Sequence, residues 1–182
     1  MAANTATSGL DRLKREIAHT FGTPAVVIDL DIVERNIARV QKICDKAGVA
    51  NRPHIKTHKI PKLALMQQEA GAKGITCQKL GEAEVMADAG IDDILVSYNL
   101  ISAARSGRLG ALMQRANLTV CADNPVTLAA YADAAKGTGR ELQVAIECDT
   151  GRKRAGVETA KEAIALAGIV KETPGLTFKG FL

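Results

Sequence analysis

Tryptophan is absent, and aromatic residues make up only 3% of the 182 positions. No platform for stacking bases is therefore visible. Neither sign of charge dominates: 24 Lys and Arg against 20 Asp and Glu leave a formal net charge of +4. That excess is too small and too dispersed to argue for a polyanion, so no nucleic-acid partner is expected. No run approaches the roughly 18–20 uninterrupted apolar residues of a membrane span, so no membrane partner is expected either. The first 22 residues hold Asp11, Arg12, Lys14, Arg15 and Glu16 and no apolar block. This argues against a secretory signal, and the acids argue against a transit peptide. Cysteine is sparse, and Cys44, Cys77, Cys121 and Cys148 form no CxxC pair and no zinc-finger spacing with histidine. Reduced core thiols in a cytoplasmic protein are the expectation.

What is present is an ordinary globular composition, 47% hydrophobic and 24% charged. The length can bury a full core and suggests one domain, or one large piece of a bigger one. Residues 1–22 read as a polar lead with a short helix, Leu10 to Thr20, and residues 23–182 as the main body. Ala25–Leu30, β-branched at Val26, Val27 and Ile28, reads as a buried strand. Asp31 can cap the helix that follows, with Glu34 at the capping-box position. Arg52–Lys56 reads as extended, with Pro53 holding it out of helix. Further strands are expected at 74–77, 93–97, 118–122, 142–148 and 176–182. Helices are expected between them, near 61–70, 81–89, 101–115, 125–136 and 157–171.

Six strand–helix units and a seventh strand give the alternation of a parallel α/β fold. A doubly wound sheet would show a Gly-rich turn after its first strand, but Asp29-Leu30-Asp31 holds no glycine. A (β/α)8 TIM barrel needs eight units and typically about 250 residues. The expectation is therefore an incomplete (β/α)8 barrel, the N-terminal fragment of a larger protein or a chain whose barrel a partner closes.

In such folds chemistry collects at the C-terminal ends of strands. That rim would hold Lys56, Thr57, His58 and Lys59, then Gln78 and Lys79, then Ser97, Tyr98 and Asn99. Asp123 and Asn124 follow, and then Asp149 to Gly156 with Arg152, Lys153 and Arg154. Polar groups on one rim suit a polar, anionic ligand. Strand alternation would put His54, Lys56 and His58 on one face. A lysine partly desolvated among cations is a competent Schiff-base amine. A solvated basic loop is the alternative that spacing leaves open. His54 and His58 suit positioning or proton transfer better than metal binding, because the segment is extended and no carboxylate is near. Arg152-Lys153-Arg154 could contact a phosphate or phenolate, or form a solvated turn.

These residues carry a resemblance. Arg52-Pro53-His54-Ile55-Lys56-Thr57-His58-Lys59 resembles the active-site segment of the D-threonine aldolase and D-serine dehydratase-like family, pyridoxal-phosphate enzymes of the alanine racemase fold type. Thr23–Leu30, Gly74–Lys79 followed by Glu82-Ala83-Glu84, and Glu147–Val157 are similar to other family segments in order and spacing. The resemblance implies an alanine racemase N-terminal barrel with the C-terminal β-domain missing. It implies pyridoxal 5'-phosphate as cofactor, with Lys56 as the Schiff-base lysine; His58, read from its spacing to Lys56 as a proton-transfer group, is expected as a second catalytic residue. Arg154, reaching the ring region near its phenolic oxygen, and Gln78 are implied as cofactor-binding residues; His54 is expected beside them from its spacing to Lys56, and no metal ligand is implied in this chain.

The implied activity is that of a lyase on D-3-hydroxyamino acids, cleaving Cα–Cβ to glycine and an aldehyde. The alternatives are a D-serine or 3-hydroxy-D-aspartate dehydratase-like lyase, a racemase, or a non-catalytic module. The Lys56 run disfavours a racemase, since alanine racemases resemble a Lys-Ala-Asn-Ala-Tyr-Gly pattern. A divalent metal (Mn, Mg or Zn) and a homodimer are implied only for the full-length parent, and the chain alone is expected to be inactive.

Overall fold

A computed structural model describes residues 3–182. The chain divides into two compact units, Met1–Asn36 and Ile37–Leu182. In the first, helix α1 spans Ala3–Phe21, longer than the expected Leu10–Thr20. Residues 22–29 that follow carry no strand. Helix α2 spans Leu30–Ala47.

The second unit is built on a five-stranded parallel sheet. Its strands are β1 (Ile75–Cys77), β2 (Asp93–Val96), β3 (Asn117–Ala122), β4 (Leu142–Ile146) and β5 (Leu176–Phe181), in the spatial order β1-β2-β3-β4-β5. Helices α3 (Pro61–Glu69), α4 (Leu80–Asp88), α5 (Ala103–Met113), α6 (Pro125–Ala135) and α7 (Ala160–Glu172) alternate with them. Each strand pairs with the next in sequence and the order never reverses. That is barrel-type winding, without the switch point of a doubly wound sheet.

Helix starts follow local chemistry. The Asn124 side chain accepts from Thr127 N at 2.9 Å, with Pro125 in the first turn of α6. Thr159 and Glu162 form a reciprocal capping box at α7. Strands β1 to β4 are buried on both faces over most of their length, whereas β5 is largely half-exposed. Double burial is what a parallel sheet under helices requires. Ile94, Val96, Val120, Val144 and Ile146 are fully buried among Met86, Leu109, Leu112 and Leu128 from the helices.

Two expected strands do not form. Ala25–Asp29 is coil, with Val26 95% and Val27 61% exposed, and Leu30 already belongs to α2. A strand needs a paired neighbour, and no ladder forms along this segment. Asp29, rather than Asp31, caps α2, its Oδ1 accepting from Ile32 N at 3.1 Å. The Arg52–Lys56 segment makes only one bridge, His54 to Thr76. Pro53 has no N–H to give a ladder; its carbonyl accepts from Thr76 N at 2.8 Å, and the chain then turns into a 3-10 helix, Ile55–Thr57. Among the described residues the sheet therefore has five strands, not seven.

Candidate active site

The turn after His54 sets the first part of the site. His54 Nδ1 accepts from Lys56 N at 3.2 Å and opens the 3-10 helix, while Ile55 beneath it is fully buried. In a three-residue turn the alternation expected of a strand no longer applies. Lys56 is exposed, not held on a buried inward face. His54 Nε2 lies 3.4 Å from Ser97 Oγ, beyond β2, and Ser97 Oγ also donates to Cys77 O at 3.3 Å. Burial pushes the His54 imidazole below its ordinary value and the Lys56 charge pushes the same way, opposed by the Gln78 side chain, the Glu82 carboxylate and the Thr76 backbone. His54 thus sits between Lys56, Gln78 and Ser97 with its basicity lowered.

His58 is placed differently. Its Nδ1 accepts from Ile60 N at 3.0 Å at the start of α3. Burial lowers its basicity, opposed by the Gln67 side chain and the Ile60 backbone. Its Nε2 and Gln67 Oε1 are buried without a well-formed hydrogen bond. The hydrogen bonds of His58 anchor the segment to α3 and do not join it to the His54–Ser97 pair.

The second part gathers at the ends of β3 and β4. A cavity of about 480 Å³ is lined by Ser97, Tyr98, Asn99, Asp123, Glu147 and Arg154, among others. Burial and the nearby Asp123 charge hold the Glu147 carboxyl above its usual range, while Arg154 draws it down. Burial would raise Asp123 too, but hydrogen bonds from Gly156 N and from the Asn124 and Asn99 amides outweigh it and hold it below. A larger cleft of about 740 Å³ runs from Lys59, Gln78, Lys79 and Glu82 to Tyr98, Asn99, Arg105 and Arg108. Tyr98, Asn99 and Arg105 line both.

His54 therefore meets Ser97, Lys56 joins His54 through its backbone N–H, Gln78 lines the larger cleft, and Arg154 shares the smaller cavity with Ser97. Strand-end position alone flagged Ser97, Asn99 and Asp123 in the sequence. Their pairings span 20 to 43 positions and left no local signal. Glu147, which closes β4 just before the flagged rim residues, was legible only as part of the Glu147–Val157 segment.

Residues 28–182 match the model of the alanine racemase N-terminal domain. The chain belongs to that family. It is 39% identical over 158 residues to the D-threonine aldolase of an Arthrobacter species, covering 87% of this chain and 42% of the relative. It is 38% identical over 148 residues to the D-threo-3-hydroxyaspartate dehydratase of Delftia sp. strain HT23, covering 81% and 39%. The crystal structure of D-threonine aldolase from Filomicrobium marinum superposes with a TM-score of 0.85 at 37% identity, over 87% of this chain and 43% of that one. The chain thus spans about two-fifths of the length of these relatives. Among the alanine racemase N-terminal domains, its relatives include aldolases and dehydratases, and these support a pyridoxal-phosphate-fold lyase family.

The donor set suits a phosphorylated aldehyde. Lys56 offers a primary amine, Arg154 a guanidinium, His54 an imidazole and Gln78 an amide. The buried Asn99 Oδ1 has no donor from the protein. Cys77 and Cys121, by contrast, are buried thiols pushed up to about 12, chiefly by desolvation, and suit packing rather than nucleophilic work. None of the four cysteines is in a disulfide. Among the described residues, no three His, Cys, Asp or Glu side chains converge as cation ligands, and no helix is long and apolar enough to cross a membrane.

Proposed function

We propose that this chain is the barrel portion of a pyridoxal-phosphate lyase that cleaves D-3-hydroxyamino acids between Cα and Cβ, giving glycine and an aldehyde. The observation that carries this is the Lys56 turn itself: an exposed lysine whose backbone N–H is held by His54, which reaches across to Ser97 on the Arg154 cavity. The 39% identity to a D-threonine aldolase supports the choice of substrate class.

Pyridoxal phosphate supplies, when bound, a conjugated ring that takes up charge from the substrate α-carbon. Lys56 would hold its aldehyde end, and His54, Gln78 and Arg154 would bind and orient the ring. His54, its basicity lowered by burial and by the Lys56 charge, presents Nδ1 to Lys56 N and Nε2 to Ser97. His58 sets the path of the chain beyond Lys56 through Ile60 N. A divalent cation has no built site among the described residues. A homodimer of the whole protein, in a reducing cytoplasm that keeps the four thiols free, belongs to the same reading.

The second reading, elimination of the hydroxyl with release of ammonia, is favoured by the identity to the Delftia dehydratase. Two measurements decide. The chain is mixed with pyridoxal phosphate, reduced with borohydride and mapped by mass spectrometry. Label on the Lys56 peptide, lost in Lys56→Ala, is the expected result; label spread over other lysines overturns the cofactor assignment. D-Threonine is then supplied to the protein expressed from its full reading frame. Glycine with acetaldehyde supports cleavage, and ammonia with an oxo acid supports elimination.

A further inference from the structure

The Asp123 carboxylate, at the end of β3, reaches across to the loop that follows β4. Its Oδ2 accepts from Gly156 N at 3.0 Å, 33 positions away. Its Oδ1 accepts from Asn99 Nδ2 and Asn124 Nδ2, each at 2.7 Å. Three donors from three segments thus converge on one carboxylate, beside a cavity it shares with Asn99 and Arg154.

The loop it grips is closed at its base. Val157 N donates to Glu147 O at 2.9 Å, and Asp149 N donates to Val157 O at 2.8 Å. Gly156 sits at φ +96°, and a Cβ there would lie 2.6 Å from Asp149 N and 2.7 Å from Cys148 C. Only glycine lets the two strands of this collar meet so closely. Above the collar, Arg152, Lys153 and Arg154 are exposed, and Lys153 is in the left-handed region at φ +50°. Within the loop, Asp149 Oδ1 accepts from Gly151 N. Among the described residues, the Gly156–Asp123 bond is the hydrogen bond that ties residues 149–156, at the collar, to the rim outside this loop.

We propose that Asp123 is a positioning residue: it clamps the 149–156 loop onto the rim and thereby holds Arg154 at the cavity. It acts through Gly156, two residues from Arg154, rather than on the guanidinium. Its consequence for pyridoxal phosphate rests on the function proposed above. The clamp itself does not.

Limited trypsin digestion reads the clamp directly, because the loop carries three cleavage sites. In Asp123→Ala, cleavage after Arg152, Lys153 and Arg154 should rise roughly tenfold, tracking the open population of the loop, while cleavage after Lys73 and Lys171 stays unchanged. Asp123→Asn keeps one acceptor for Gly156 N and should fall between wild type and Asp123→Ala. It also serves where the alanine variant does not fold. Unchanged loop cleavage in the folded variants, or equal acceleration at every site, overturns the proposal.

Pyridoxal phosphate titration supplies the second arm. Asp123→Ala and Arg154→Ala should each weaken binding, and the double variant should be no weaker than Arg154→Ala alone. Additive losses would show that Asp123 does not act through Arg154. Failure of the wild-type chain to take up pyridoxal phosphate would count against the proposed function, while the digestion would still decide the clamp.

Discussion

The Lys59 ammonium lies 2.7 Å from Glu82 Oε1, and Glu82 Oε2 accepts from Gln78 N at 2.8 Å and Lys79 N at 3.3 Å. One carboxylate therefore joins the end of the Lys56 turn to the end of β1 and the start of α4. Burial alone would raise the Glu82 carboxyl; Lys59 and the two backbone donors outweigh it and hold it below its usual range. Lys59 itself adopts φ +55°, in the left-handed region. Glu82→Ala strands the Gln78 and Lys79 donors and should cost about 1–3 kcal/mol in urea unfolding. Glu82→Gln, which keeps an acceptor, should cost less. Equal losses in the two variants would contradict the role of the acceptor.

The two site histidines predict a pH dependence. Both imidazoles are held below the ordinary value of 6.5 by burial, and His54 also by the Lys56 charge. The unfolded chain therefore binds protons more readily at these two positions. Their contribution to stability is full above pH 6.5 and is lost as pH falls from there toward the lower folded values. Urea midpoints measured from pH 8 to pH 5.5 should decline below about 6.5. His54→Asn, which removes one titrating group, should make the decline shallower. A flat profile over that window would contradict the placement of both rings.

Much of the architecture was legible because its signals are local. Asn124-Pro125 announces α6 by a cap and a pre-set first turn, and the apolar runs of β2 and β3 are marked by Asp93, Asn117 and Asp123. Ala25–Leu30 misleads because a β-branched run reports hydrophobicity and says nothing of a pairing neighbour. Arg52–Lys56 misleads because extended backbone before a proline-limited bridge looks the same as a ladder strand. The rim was legible as a list, since strand ends can be counted. Its pairings were not: His54 meets Ser97 across 43 positions and Asp123 meets Gly156 across 33. His58 illustrates the difference. Spacing groups it with Lys56, whereas its bond to Ile60 N ties it to α3.

Tyr131 gives a test of the core beneath the rim. Its ring is fully buried, and its hydroxyl donates to Cys121 O at 2.7 Å and accepts from Leu100 N at 3.3 Å. One hydroxyl thus joins α6 to the end of β3 and to the segment that precedes α5. Tyr131→Phe leaves the ring and strands both backbone groups, so it should cost about 1–3 kcal/mol in thermal or urea unfolding. A neutral change would mean that water replaces the hydroxyl at both positions.

Helix α5 carries two glycines whose replacement should act in opposite directions. Gly110 is buried where α5 crosses α6, and a Cβ there would lie 2.6 Å from Ala134 O. That atom is helix backbone and cannot swing aside. Ser106, one turn earlier, donates to Ala130 O at 3.0 Å, so the two helices are held at this close approach. Gly110→Ala must push them apart and should destabilise by about 1–3 kcal/mol. Gly107 is exposed on the same helix, and a Cβ there meets nothing within 4 Å. Gly107→Ala gains helix propensity without a clash and should stabilise by about 0.5–1 kcal/mol. Urea midpoints of the two variants moving apart around the wild-type value is the expected result. A shift of both in the same direction would mean that the α5–α6 crossing is not held by the small residue at 110.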